Sequence, residues 1–266
     1  MLPSFTPGED PGPDFGELMK RVGLRSEPIT VGPSDAAAIT HGTTCLAIRY
    51  ADGVVIAGDR RATSGNWISH RTIEKVFPAD RYSAVAIAGA AGPAIEMVRL
   101  FQLQLEHYEK VEGNHLSLEG KANQLSQMIR NHLPAAMSGM AVVPLFAGYD
   151  TKRGNGRLFQ YDITGGRYEE HDYAATGSGS MHASTVAKLG FRPALSREEA
   201  VDLVIEALWQ AADEDSATGG PDLIRKIFPV VATVTAQGYQ RLEDEELETR
   251  SRYLIGRIES RRGGVS

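Results

Sequence analysis

Apolar and polar positions fall into two rhythms along this 266-residue chain. Thr43–Tyr50 (TTCLAIRY) and Val54–Gly58 (VVIAG) are apolar runs separated by Ala51-Asp52-Gly53, a hairpin turn with Asp-Gly in it. Further strands are predicted over Tyr82–Gly89, Ala141–Tyr149, Arg157–Asp162, Arg167–Thr176 and Ile227–Thr235. Between them the spacing turns helical. Pro93 opens a helix to about Val111, with Ile95, Val98, Phe101, Leu105 and Tyr108 along one face. Other helices are predicted over about Ser117–Leu133, near Met181–Leu189, and from the capping box Ser196-Arg-Glu-Glu199 to about Ala212. A last amphipathic helix covers about Glu245–Ser260. Strands in groups with helices in pairs indicate an α+β fold, not alternating βαβ units.

Residues 1–42 break this pattern. They hold six of the thirteen prolines and six glycines, which cannot sustain regular structure for long. Phe15, Leu18, Met19 and Val22, spaced i, i+3, i+4, i+7, predict one short helix around 14–24. The arm reads either as a disordered terminus or as a removable pro-segment, and the 224 residues after Gly42 read as a complete domain without it.

Composition narrows the class. Hydrophobic residues at 42% and charged residues at 23% are those of a soluble globular protein. A net charge of −6 argues against nucleic acid or an anionic membrane as the main partner, since both require a concentrated basic face. The uncharged stretch Tyr82 to Ile95 is shorter than the roughly 20 residues of a span and is interrupted by Gly89, Gly92 and Pro93, and the first residues carry acids where a signal peptide needs a basic n-region. Cys45 stands alone, so no disulfide forms within the chain; the expected compartment is the reducing cytoplasm.

The familiar catalytic signatures are missing. There is no HExxH or other metal spacing, no P-loop, no dinucleotide fingerprint and no Gly-x-Ser-x-Gly, so neither metal nor cofactor is expected. The junction His41-Gly42-Thr43-Thr44 carries another possibility. Cutting Gly42–Thr43 puts a hydroxyl nucleophile and a free α-amine on one residue. That amine titrates at about 7.7–8.0, where it can accept the hydroxyl proton; a lysine at about 10.4 cannot. This is the threonine form of an activated nucleophile.

The segments HGTTCLAIRYADGVVIAGDRRAT (41–63), EKVF (74–77), AIAGAAG (86–92), LEHYEKVEG, FAGYD, GSGS and DEDSATGGPD (213–222) together resemble bacterial 20S proteasome β subunits, most closely the actinobacterial type. The resemblance runs in family order from His41 to near the C-terminus. It implies the N-terminal-nucleophile hydrolase fold: a four-layer αββα sandwich of two antiparallel sheets flanked by helices. It also implies a propeptide over 1–42, a catalytic domain over 43–266, and Thr43 as nucleophile of a threonine endopeptidase.

Carried over position by position, the resemblance makes Asp59 and Lys75 a buried charge pair beside Thr43. An ammonium near the threonine oxygen lowers its pKa, and a carboxylate balances that ammonium in a partly dry site. Gly89 matches the residue whose backbone N–H stabilises the tetrahedral oxyanion. Ser178, Asp215 and Thr218 match the positions that orient the terminal amine; the family often has serine where Thr218 stands. Ala62, Ile73, Ile87 and Ala91 are expected to line the substrate pocket, and Thr63 to hold the substrate backbone. Small apolar walls without an acid predict cleavage after hydrophobic residues. Cys45 reads as a buried small hydrophobe.

The resemblance further implies self-activation, with Thr43 attacking the Gly42 carbonyl and a water serving as base. It implies homo-heptameric β rings, stacked with α subunits as an α7β7β7α7 barrel. An ATPase ring would feed in unfolded proteins that are tagged (pupylated). Three alternatives stand beside it: a non-catalytic ring subunit, the simpler two-component bacterial protease whose subunits also begin Thr-Thr, and a small-molecule amidase of the same superfamily.

Overall fold

The hairpin read at Ala51-Asp52-Gly53 joins β1 (Thr44–Tyr50) to β2 (Gly53–Gly58), in register from Cys45 opposite Gly58 to Tyr50 opposite Gly53. Around this hairpin the computed structural model, which describes residues 12–22 and 42–263, builds an antiparallel sheet in the order β10-β1-β2-β11-β12. Its other members are β10 (Tyr173–Gly177), β11 (Val230–Thr235) and β12 (Gly238–Arg241). A second antiparallel sheet runs β5-β6-β7-β8-β9: β5 (Val76–Asp80), β6 (Ser83–Ala86), β7 (Leu145–Asp150), β8 (Asn155–Tyr161) and β9 (Arg167–Glu170). β3 (Ala62–Ser64) and β4 (Trp67–His70) form a separate hairpin, buried at Ala62 and Thr63 and exposed along β4.

Three buried clusters fix the layers. Cys45, Ala47, Val54, Ile56, Leu145, Leu158 and their neighbours fill the space between the sheets. The opposite face of the first sheet, with Leu46, Ile48, Val55 and Val231, packs on helices α4 (Ser180–Gly190), α5 (Arg197–Glu214) and α6 (Asp244–Gly263). The outer face of the second sheet, with Val85, Phe146 and Phe159, packs on α2 (Ala91–Glu112) and α3 (Leu118–Met137) through Phe101, Leu105, Leu125 and Ile129. β1 and β2 alternate between two apolar environments, which is why both read as continuous apolar runs. The four-layer αββα expectation holds.

Most element boundaries shift by a few residues from those read in the sequence. One strand needs correcting. Arg167–Thr176 is two strands, β9 and β10, which belong to different sheets. The chain crosses between sheets at His171-Asp172, and the Asp172 carbonyl accepts from Arg49 N–H at 2.8 Å. The capping box is present in full: Ser196 accepts from Glu199 N–H, and the Glu199 carboxylate accepts from Ser196 N–H.

Of the arm, the described part is a short helix, α1 (Phe15–Arg21); residues 23–24 of its predicted span, and the prolines at 3, 7, 11, 28 and 33, lie outside the described residues. Phe15 is buried against α2, its ring 5.9 Å from that of His107, whose Nε2 donates to the Gly12 carbonyl. No described helix is long and apolar enough to cross a membrane.

Candidate active site

Strand register brings distant segments to one end of the sandwich. Thr44 opposite Gly177 places Ser178 beside Thr43, and Cys45 opposite Gly58 places Asp59 beside Thr44. Lys75 immediately precedes β5, Gly89 follows β6, and Asp215 caps the C-terminus of α5. Each functional side chain therefore sits just beyond a regular element, where the scaffold holds it but the ladder does not consume it.

Asp59 and Lys75 are buried, at 0% and 3% exposure, and form an ion pair of 2.6 Å. A buried pair survives only if its remaining hydrogen-bonding capacity is filled. Here it is. Lys75 Nζ donates to Asp59 Oδ1 (2.6 Å), the Arg61 carbonyl (2.6 Å) and the Gly42 carbonyl (3.3 Å), which uses all three ammonium protons. Asp59 Oδ1 also accepts from Thr44 N–H (2.9 Å), and Oδ2 accepts from Arg61 N–H (2.8 Å) and Gly219 N–H (2.9 Å).

A second group surrounds the Thr43 nitrogen. Thr43 N–H donates to Ser178 Oγ at 3.3 Å; Ser178 Oγ and Thr218 Oγ1 lie 2.5 and 2.6 Å from Asp215 Oδ2. Burial alone would push the Asp215 carboxyl up, but the Ser178 and Thr218 hydroxyls and the Ala217 amide, with His182 nearby, hold it below the ordinary range. It is ionised at neutral pH and accepts only.

Thr43 shares a small cleft with Ala62, Ile73, Lys75, Ile87, Gly89 and Ala91. All four expected pocket residues are therefore brought together beside it. The sequence reading missed Ala88, Ala94 and Ile95 in the same lining. Ile95 had a signal in the apolar face of the helix opened by Pro93, but nothing in that periodicity says the helix start faces the cleft. Thr63 lies outside the lining, and its Oγ1 accepts from Gly42 N–H at 3.3 Å, so it holds the backbone just before Thr43. Cys45 is fully buried; desolvation pushes its thiol up to about 12, and it packs between the sheets as expected of a small hydrophobe.

The family model of the proteasome subunit matches residues 39–225, more than half of the chain. A protein named proteasome subunit beta from Acidimicrobium ferrooxidans is 61% identical over 247 residues, covering 93% of this chain and 90% of that one. Its namesake from Streptomyces griseus is 55% identical over 258 residues, covering 95% and 90%. The chain belongs to the proteasome β-subunit family. The resemblance read from the motifs is thereby borne out, together with the fold class and the threonine endopeptidase activity of the family. Both relatives are proteasome subunits by name, which leaves the amidase alternative without support.

Proposed function

We propose that this proteasome β subunit is made as a precursor, cuts its own Gly42–Thr43 bond, and then cleaves unfolded proteins mainly after hydrophobic residues. Residues 1–42 are the propeptide and 43–266 the catalytic domain. The observation that carries this reading is the Lys75 ammonium, anchored by Asp59 and donating to the carbonyl oxygen of the bond to be cut. In the precursor Thr43 Oγ attacks the Gly42 carbonyl carbon, and a water takes the hydroxyl proton. Negative charge gathers on the Gly42 oxygen that Lys75 already contacts. The acyl group passes from the Thr43 nitrogen to its oxygen, and water hydrolyses the resulting ester. A Gly42 carboxylate leaves, and Thr43 keeps a free amine.

Loss of Gly42 releases one Lys75 donor toward the Thr43 hydroxyl. In each later turnover the amine accepts the proton of Thr43 Oγ as that oxygen attacks a peptide carbonyl, and the Gly89 N–H stabilises the oxyanion. Such a donor contributes roughly 2.7–4 kcal/mol. The side chain before the cleaved bond enters the cleft walled by Ala62, Ile73, Ile87 and Ala91, where no acid meets a basic group. Thr63, which holds the Gly42 amide in the intact chain, takes the substrate backbone in the same way. Heptameric β rings closed by α subunits, with an ATPase ring delivering pupylated proteins in the cytoplasm, complete the proposal. A sealed chamber makes a protease of low specificity tolerable to folded proteins.

The test is the intact mass of the β chain after co-assembly with α subunits. Loss of residues 1–42 with Thr43 at the new N-terminus is expected, and Thr43→Ala should stay full length and inactive. Assembled particles that keep the arm in the unaltered chain would overturn self-activation in favour of a non-catalytic ring subunit.

A further inference from the structure

Thr44 is completely buried and lies between the two groups that flank Thr43. Its N–H donates to Asp59 Oδ1, the acceptor of Lys75. Its hydroxyl is 2.6 Å from Thr218 Oγ1 and accepts from Gly179 N–H at 3.1 Å. Gly179 has no side chain for a reason: a Cβ there would lie 2.3 Å from Thr44 Oγ1.

Proton counting orients every bond in this chain. The Asp215 carboxylate has no hydrogen to give, so the protons of Ser178 Oγ and Thr218 Oγ1 both point at Asp215 Oδ2. Thr218 has then spent its only proton, and the short contact with Thr44 requires Thr44 to donate. The relay runs from Gly179 N–H to Thr44, from Thr44 to Thr218, and from Thr218 to Asp215. Asp215 in turn fixes Ser178 with a lone pair toward the Thr43 nitrogen. A Thr43 amine that donates to Ser178 keeps its own lone pair for the hydroxyl proton.

We propose that Thr44 is a positioning residue for the terminal amine, joining the Asp59–Lys75 pair to the Ser178–Asp215–Thr218 group through its amide on one side and its hydroxyl on the other. This rests on Thr43 being the nucleophile. Donors in series polarise one another, so the Thr44 hydroxyl disperses charge on Asp215. Without it Asp215 pulls harder on the Ser178 proton, and Ser178 Oγ becomes a better acceptor. The ammonium form of Thr43 is then favoured over the neutral amine that catalysis needs.

The experiment compares Thr44→Val and Thr44→Ser in particles co-assembled with α subunits, using a fluorogenic peptide with a hydrophobic residue before the cleaved amide. For Thr44→Val the expectation is a fall in kcat of about 3- to 10-fold with KM little changed, since one net hydrogen bond is lost. The acid limb of the kcat profile should move to higher pH by a few tenths of a unit. Thr44→Ser should restore both. If Thr44→Val does not assemble, Thr44→Ala is read by the same criteria. Unaltered kcat and pH profile in a processed variant would overturn the proposal. So would failure of both hydroxyl-free variants to assemble while Thr44→Ser is unimpaired, which makes the residue structural. Activity surviving in Thr43→Ala would instead remove the nucleophile assignment on which all of this stands.

Discussion

Gly89 is the residue at which backbone geometry and chemistry are hardest to separate. Its φ is +106°, and a Cβ would lie 2.1 Å from the Ala141 carbonyl oxygen. The chain on either side is pinned, with Ala90 N–H donating to Ala141 O and Val143 N–H to Ala88 O, both at 2.9 Å. Any side chain must therefore strain the backbone and displace the peptide that carries the proposed oxyanion donor. Gly89→Ala is expected to lower kcat by about 10²- to 10³-fold, the usual cost of one such donor, in particles that still assemble. A kcat within threefold of the unaltered enzyme would remove Gly89 from that role. Beyond Gly89 and Gly42, which the motif resemblance supplied, the site was legible in the sequence where it uses side chains. Thr43, Asp59, Lys75, Ser178, Asp215 and Thr218 stand in recognisable motifs, and the fold does bring them together. The Arg61 carbonyl and the Gly219 N–H, which complete the ion pair, are backbone groups that any residue type carries.

At the scale of elements, helices were read well because each carries an apolar face, turned to a sheet or, for α1, to α2. β4 escaped because all four of its residues are exposed and give no alternation of burial. β5 carries Pro78, which argues against a central strand but suits the sheet edge where it lies. The merged β9–β10 reading failed because sequence periodicity does not register a change of sheet. Element docking also depends on a contact that periodicity would assign to solvent. Lys121, on α3, is buried at 3% exposure and pairs with Asp80 at the end of β5 at 2.5 Å. Asp80 also accepts from Tyr82 N–H and Ser83 Oγ, so it is committed to this turn. Lys121→Met removes the cation and leaves the partly buried Asp80 carboxylate without it, and is expected to cost about 1.5–3 kcal/mol in urea unfolding. Lys121→Met combined with Asp80→Asn should recover part of that loss. Equal stability of the single and double variants would show that burial of the Lys121 stem, and not its charge, matters here.

Across the whole molecule, the two ends of the sandwich do different work. Thr43, Asp59 and Gly89 lie at one end; register from Ala86 opposite Leu145 to Ser83 opposite Gly148, then Gly148 opposite Arg157, carries Arg157 toward the other. Arg157 is 4% exposed and donates to Glu169 (2.6 Å, twice), Glu119 (2.6 Å) and Asp150 (3.1 Å), tying β8 to β9, α3 and β7. Its guanidinium also stacks over Phe159, 4.9 Å from the ring centre. Hydrogen bonds from Arg157 hold Glu169 and Glu119 below the usual carboxylate range. At Asp150 burial pushes up, but the amides of Arg153 and Lys152 together with Arg157 prevail in pulling it down. Carboxyls lowered on folding stabilise the native state fully above their unfolded pKa of about 4, and that contribution fades as pH falls through the folded values. Arg157→Met removes the donor that the three carboxylates share; Glu119 keeps Arg167 at 2.5 Å and Asp150 keeps the amides of Lys152 and Arg153, so the variant has less of this stabilisation to lose on acidification than the unaltered chain. The expected result is a urea midpoint well below that of the unaltered protein at pH 7, with the gap closing as pH drops below about 4.5. Because the cluster lies away from Thr43, kcat per assembled particle at pH 7 should not change. A stability gap that stays constant with pH would mean that Arg157 acts through packing on Phe159 and not through its charge.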